Sequence, residues 1–252
     1  MAIPWRTKKQ ALFFIIFLAI LVFLIILAFV FFNSSSCFDG KKNQEEEEID
    51  CGGPCGPCLG ATKNLIIYWT KIFKVKEKSY EAVALLGNPN LFAGADLINY
   101  KINVYDEKNI LVAVRKGQAF LNPNEKFLIF ETNLDTGERV PKSAFLEIEE
   151  NIEWKRIEKE KPQLVVTKKD FLNQDPFPRL TVEISNKSLL DAENIDVFAV
   201  IFDKDKNAKA ASISKINYLK GETSQEAIFT WPEKFSEEPN SIEVFTRVNL
   251  LK

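Results

Sequence analysis

Hydrophobic positions fall along this chain in two different patterns. From Ala11 to Phe32 they form one block, ALFFIIFLAILVFLIILAFVFF, with no charge, glycine or proline. At about 1.5 Å rise per residue, a helix over 11–32 would be long enough to cross a hydrocarbon core of roughly 30 Å. From residue 62 onward there is no such block and no long helical period. Short runs rich in Val, Ile, Phe and Tyr are separated by clusters of Asn, Pro, Gly and Asp, which predicts strands joined by turns. Ile98, Tyr100, Ile102 and Val104 alternate with Asn99, Lys101 and Asn103, and Leu180, Val182 and Ile184 alternate with Thr181, Glu183 and Ser185. Each set should place one face in a core and the other in water. The run Ile195–Phe202 is almost continuously apolar, which predicts a central strand covered on both faces. Ile148, Ile152 and Ile157 could share a helix face, but Glu153-Trp-Lys-Arg-Ile157 alternates charge with bulk and favours a strand. Trp69, Trp154 and Trp231 are expected as core anchors.

The β-rich part repeats itself at an offset of 97 to 99 residues. Ile98–Asp106 lies against Ile195–Asp203, Phe120–Glu125 against Asn217–Glu222, and Leu128–Thr132 against Ala227–Trp231. Gly87-Asn-Pro-Asn90 matches Ser185-Asn-Lys-Ser188 as a turn after a strand. A period near 97 is the length of a domain, not of a solenoid unit. The expected architecture is therefore all-β: two tandem sandwiches, 62–160 and 161–252, joined at the polar stretch Glu158–Pro162, plus one N-terminal transmembrane helix. The paired apolar residues Leu91-Phe92 and Leu189-Leu190, at equivalent places in the two halves, are expected to plug the ends of the sandwiches.

Residues 180–231 run as a strand, the Asn186 turn, the apolar strand ending Ala199-Val-Ile-Phe-Asp203, Leu219-x-Gly-Glu222 and Ile228-Phe-Thr-Trp-Pro232. This pattern resembles FxLYD-type and related immunoglobulin-like extracellular domains. The resemblance implies an immunoglobulin-like fold and an extracellular location, and the family has no catalytic residues to carry over.

All four cysteines lie together, in CFDGKKNQEEEEIDCGGPCGPC, at positions 37, 51, 55 and 58. The segment's other apolar side chains outside the prolines are Phe38 and Ile49, so it cannot build a core and needs covalent staples. Two disulfides among Cys37, Cys51, Cys55 and Cys58 are expected. Three pairings are possible, and the sequence does not choose among them. The spacing Cys51-x₃-Cys55-x₂-Cys58 also matches an iron–sulfur cluster site, but that chemistry requires a reduced compartment and a large α/β barrel. A four-cysteine zinc site is the other thiolate reading. Hard oxygen ligands at Asp39, Asn43, Glu45–Glu48 and Asp50, in a loop with Gly40 for a tight turn, make this a candidate calcium loop, although the regular alternation of an EF-hand is missing. The plain alternative is a solvated acidic spacer. The stretch resembles a motif of bacterial surface and secreted proteins, Cys-x-Asp-Gly-x-x-Asn-x-x-Glu followed by Asp-Cys-Gly-Gly-x-Cys-x-x-Cys. The match runs through Cys37, Asp39, Gly40, Asn43, Glu46, Asp50, Cys51, Gly52, Gly53, Cys55 and Cys58. It implies a disulfide-bonded extracellular module without catalysis.

Charge then sets the topology. Arg6, Lys8 and Lys9 precede the apolar block with no acidic residue, so residues 1–10 should stay in the cytoplasm and everything after residue 32 should lie outside. A signal peptide usually has a shorter apolar core and a small-residue cleavage site. A lipoprotein signal ending before Cys37 would need an aliphatic residue where Ser34 stands. Residues 33–61 then form a cysteine-rich acidic linker with six acids against Lys41 and Lys42. The chain has no histidine, a net charge of −2 and a pI near 5.6. Histidine-based acid–base and metal chemistry is thereby removed, and the charge argues against nucleic acid as a partner. No phosphate-binding glycine loop is present. Asp196, a carboxylate within an apolar run, is expected to face water. Asn33-Ser-Ser35 and Asn186-Lys-Ser188 match glycosylation sequons. The expected function is a membrane-anchored interaction or structural protein with a protein partner in the cell envelope, no cofactor and no enzymatic activity. The alternative is a calcium- or metal-binding stalk centred on residues 37–58.

Overall fold

The structure, a computed structural model, describes residues 5–32, 36, 37, 39–55, 58–60 and 62–251; within the helix it describes the side chains of residues 5, 9, 10 and 12–27. The chain divides into two compact units, residues 1–60 and 61–252.

The apolar block lies on helix α1, Trp5–Phe32. The ammonium of Lys9 sits 3.9 Å from the centroid of the Trp5 ring. Every described side chain from Leu12 to Ile26 is exposed. Ala11 and residues 28–32, which complete the expected span, lie outside the described side chains. Among the described residues no helix is long and apolar enough to cross a membrane.

The second unit is all-β and its sheets are open. Its first half contains β1 (Ile66–Lys76), β2 (Ser79–Asn88), β3 (Ala93–Asp106), β4 (Leu111–Leu121), β5 (Glu125–Leu134), β6 (Pro141–Ile148) and the two-residue β7 (Lys155–Arg156). The second half contains β8 (Leu164–Leu172), β9 (Arg179–Asn186), β10 (Ala192–Phe202), β11 (Ala208–Leu219), β12 (Ser224–Thr230) and β13 (Ser241–Arg247). The first half pairs its strands as β1-β2-β5 and β4-β3-β6. The second pairs them as β8-β9-β12 and β11-β10-β13, the same order strand for strand. All pairings are antiparallel. In each half the two sheets enclose one core. Tyr80, Ala82, Ala84 and Leu86 of β2 meet Ile98, Tyr100, Ile102 and Val104 of β3. Leu180, Val182 and Ile184 of β9 meet Ile195, Val197, Ala199 and Ile201 of β10. These are the faces that the alternation predicts. The stretch from Ile148 to Ile157 forms no helix. Ile148, Ile152 and Trp154 pack on the first core, and β7 pairs with the start of β3. Trp231 is buried in the second core, and Trp69 and Trp154 are partly buried.

The repeat extends to individual hydrogen bonds. The buried Asn88 and Asn186 each send their amide nitrogen to two carbonyls: Ala93 and Asn122 for the former, Leu190 and Leu219 for the latter. Each then accepts a backbone N–H two residues on, from Asn90 and from Ser188. Asp106 Oδ1 accepts from the N–H groups of Lys108 and Ile110, and Asp203 Oδ1 accepts from those of Asp205 and Asn207. In both turns the next-to-last residue, Asn109 or Lys206, takes a left-handed backbone conformation. A short acceptor carboxylate at the strand end thus closes the same tight turn twice. The registers of the equivalent strands β5, paired with β2, and β12, paired with β9, correct the offset. Ile129 lies beside Ala84 and Ala227 beside Val182, which fixes the offset there at 98, where matching Leu128 to Ala227 implies 99. A one-residue slip exchanges the two faces of a strand: Leu128 points away from the core that Ala227 enters.

Leu128 belongs to a third cluster. Phe73, Val83, Leu85 and Leu128 from the outer face of β1-β2-β5 are buried against Phe198, Val200, Phe202, Ala208 and Ala211 of β11-β10-β13. The Phe130 and Phe198 rings lie 6.4 Å apart. The two halves therefore stack sheet on sheet around a shared core, and β10 is covered on both faces as its composition predicts. The face of β4-β3-β6 that points away from the shared core carries different residues from its equivalent on β11-β10-β13, which is buried in that core. Lys101, Asn103 and Tyr105 on β3 stand where Phe198, Val200 and Phe202 stand on β10.

Beside the shared core lies a buried ion pair, Arg247 Nε to Glu125 Oε2 at 3.1 Å, with both side chains at most 6% exposed. The guanidinium sits 3.8 and 4.1 Å from the Phe120 and Phe127 ring centroids and donates to the Phe120 carbonyl. Asn122 binds Val248 O and Leu250 N, and Lys161 reaches Glu125 at 3.2 Å. Residues 247–250 are thereby fastened to the β4–β5 turn of the first half. Burial pulls the Arg247 guanidinium below its ordinary value, and the charge of Glu125 opposes that shift.

Three local expectations are revised. Leu91, Phe92, Leu189 and Leu190 do not plug the sandwich ends; all four are exposed, because Asn88 and Asn186 already tie those ends through buried hydrogen bonds. Asp196 is half-buried and lies 3.3 Å from Lys215. The sequon at Asn186 is closed to modification, since that side chain is fully buried and its nitrogen is engaged; Asn33 lies outside the described residues.

Candidate functional site: the stapled acidic module

The cysteines pair as Cys37–Cys55 and Cys51–Cys58. Chain-entropy arguments assign stabilisations of about 3 and about 2 kcal/mol to closing loops of these lengths. Within them the backbone turns sharply. Gln44, Glu45 and Asp50 and the glycines Gly40, Gly52 and Gly53 all have positive φ. A Cβ on Gly53 would meet Glu45 O at 2.5 Å, and one on Gly52 would meet Glu47 N at 2.6 Å. The two adjacent glycines are therefore required by close approach to the acidic run as well as by conformation.

Of the candidate calcium ligands, Asp39, Asn43 and Asp50 come together through bonds among themselves. Asn43 Nδ2 donates to Asp39 Oδ2 at 2.9 Å, and Asp39 N donates to Asp50 Oδ1 at 3.0 Å. Both Asp50 oxygens accept from Gly40 N, and Asp39 also accepts from the N–H groups of Ser36 and Lys41. The hydrogen bond from the Asn43 amide, aided by those backbone donors, holds the Asp39 carboxyl below its ordinary value. In this arrangement the aspartates stabilise the loop by accepting N–H groups, and a cation would have to displace those donors. Asn43 Oδ1 has no hydrogen-bond partner among the described residues.

Glu46 belongs to the motif and to the candidate calcium ligands, and its place in the fold is internal. It is buried, and its Oε2 accepts from Asn43 N and Asp50 N, both at 3.1 Å. It joins the Asp39 turn to the Cys51 bridge from inside the module. The Asn43-x-x-Glu46 spacing was the available signal, because a carboxylate three residues on can return to a backbone donor of the same turn. Glu47, Glu48 and Ile49 are exposed.

Two groups of Cys and Glu ligand atoms converge among the described residues, Cys37–Glu46–Cys55 and Glu48–Cys51–Cys58. Each consists of one disulfide and one carboxylate, so neither offers the thiolates that a zinc or iron–sulfur site needs. What this arrangement does chemically is to hold a coreless acidic loop in one shape.

No protein-family model matches the chain, and no curated protein matches it.

Proposed function

We propose that this chain is a single-pass membrane protein that displays two immunoglobulin-like, FxLYD-type β-sandwiches outside the cytoplasm on a disulfide-stapled linker. Its work there is docking or structural support of another protein of the cell envelope, with no catalysis. The observation that carries the reading is the order of parts: an apolar 22-residue block on a helix, succeeded at once by a module closed by two disulfides. Disulfides persist in oxidising compartments, and the basic residues ahead of the helix favour an outward orientation of the chain beyond it. The described helix side chains from Leu12 to Ile26 are exposed, which suits a hydrocarbon surrounding. The identical strand order of the two halves supports a duplicated sandwich domain.

Protease added to intact, wall-stripped cells tests the topology. Residues 62–252 should be digested while the helix and its basic flank survive in the membrane; complete protection of 62–252 would overturn the reading. The mass of the chain from cells tests the anchor, and a loss of about 3–4 kDa would show a cleaved signal peptide.

A further inference from the structure

The outward face of β4-β3-β6 carries four cross-strand rows. They are Gln118–Asn99–Glu149, Lys116–Lys101–Glu147, Val114–Asn103–Phe145 and Leu111–Tyr105–Ser143. Two rows are polar or charged. The other two expose Val114, Leu111 and, at 60% exposure, Phe145. Phe145 stands edge-on to Tyr105, with ring centroids 5.9 Å apart. The equivalent face of the second half, β11-β10-β13, is already a sheet-on-sheet interface within the chain.

We propose that this face docks a second copy of the chain across a two-fold axis parallel to β3. Such an axis exchanges the edge strands, so β4 of one copy lies over β6 of the other with every row facing itself reversed. Val114 then meets Phe145 of the second copy, Lys116 meets Glu147, and Gln118 meets Glu149. Lys101 lies on the axis, where Glu147 of its own chain, 2.7 Å away, compensates it. A two-fold interface must be self-complementary, and these rows are so in both charge and bulk. An acidic or basic partner would leave one sign of the Lys116–Lys101–Glu147 row unmatched, which is why a second copy is the occupant. The four rows span seven residues of β3, which at about 3.4 Å per residue and about 4.8 Å per strand give a face of roughly 24 by 15 Å. The pair would therefore bury about 700 Å², below the size of standard specific interfaces, which corresponds to a weak, transient dimer. The proposal is independent of the membrane reading, because it concerns residues of the second unit alone.

Sedimentation equilibrium of the full chain in detergent micelles, up to about 100 µM, tests it. A monomer–dimer equilibrium is expected. Lys116→Glu or Glu147→Lys should each weaken it about tenfold or more, and the double variant, which recreates the row in mirror image, should return to within about threefold of the parent. A mixture of Val114→Cys chains with Phe145→Cys chains should form the intermolecular disulfide faster than either chain alone. A monomer at 100 µM overturns the proposal. So does a dimer indifferent to the charge reversals, which would place association elsewhere, for example on the helix.

Discussion

Replacing Arg247 by Met should loosen the junction between the two halves. The substitution keeps an unbranched apolar stem and removes the guanidinium. Glu125 would then remain buried with Asn122 Nδ2 at 3.0 Å and Lys161 Nζ at 3.2 Å, and without its 3.1 Å partner. Breaking one side of a buried pair typically costs about 3–5 kcal/mol. The donors left to Glu125 pull that toward the lower end, while lost stacking on Phe120 and Phe127 adds about 1 kcal/mol. A net loss near 4 kcal/mol is expected. With a urea slope of about 2–3 kcal/mol/M for a unit of this size, the unfolding midpoint should fall by roughly 1.5 M. The Glu125→Gln, Arg247→Met double variant should lose less than Arg247→Met alone, because no unpaired charge stays buried. A midpoint that moves by less than about 0.3 M in the single variant, or a double variant that loses more than the single, would refute the view that this pair fastens the halves.

Asn186→Ala and Asn88→Ala should each cost about 1–3 kcal/mol, since each orphans buried carbonyls, and similar values in denaturant titrations would confirm that the two turns are equivalent. Gly94→Ala should destabilise by about 1–3 kcal/mol, because its Cβ would lie 2.3 Å from Leu121 O, a backbone atom that cannot rotate away; an unchanged melting temperature would contradict this. Hydrogen bonds from Ile110 N to Asp106 and from Asn207 N to Asp203 hold both carboxyls below the usual 3.8. The stability they contribute is therefore complete above that unfolded-state value and is lost as pH falls through the lower folded value. NMR titration should give midpoints below 3.8, and Asp203→Asn should flatten the acid limb of a stability–pH curve. Alkylation of the unreduced, unfolded chain should add no label and alkylation after reduction should add four, as two intact disulfides require.

Much of this architecture was legible because its causes are local. Alternation along Ile98–Val104 and Leu180–Ile184 is a period-two signal within one strand, and it named the core faces correctly. Asp106 and Asp203, each with a short polar turn after it, marked the same hairpin twice. The continuous apolar run 195–202 announced a strand with two covered faces. The stapled module was legible as a unit, since four cysteines in a coreless stretch leave few other ways to hold shape. Its interior was less so. Glu46 looks like one glutamate among four in sequence, and only the fold shows which of them turns inward. Asp39, Asn43 and Asp50 are hydrogen-bonded to one another in the fold, but a ligand set does not show whether oxygens face a cation or N–H donors.

Residue type and short-range spacing were thus enough to specify the apolar helix, the stapled segment, the strand faces and the duplication. Tertiary structure was needed to establish which cysteines pair, that the shared offset at β5 and β12 is 98, and that Arg247 reaches Glu125 across 122 residues. It was also needed to show that the second cover of β10 is the outer face of β1-β2-β5. The physical reason is common to all four. A side chain's own neighbours fix whether it is buried, but what it is buried against depends on contacts between segments far apart in sequence, which no local period records.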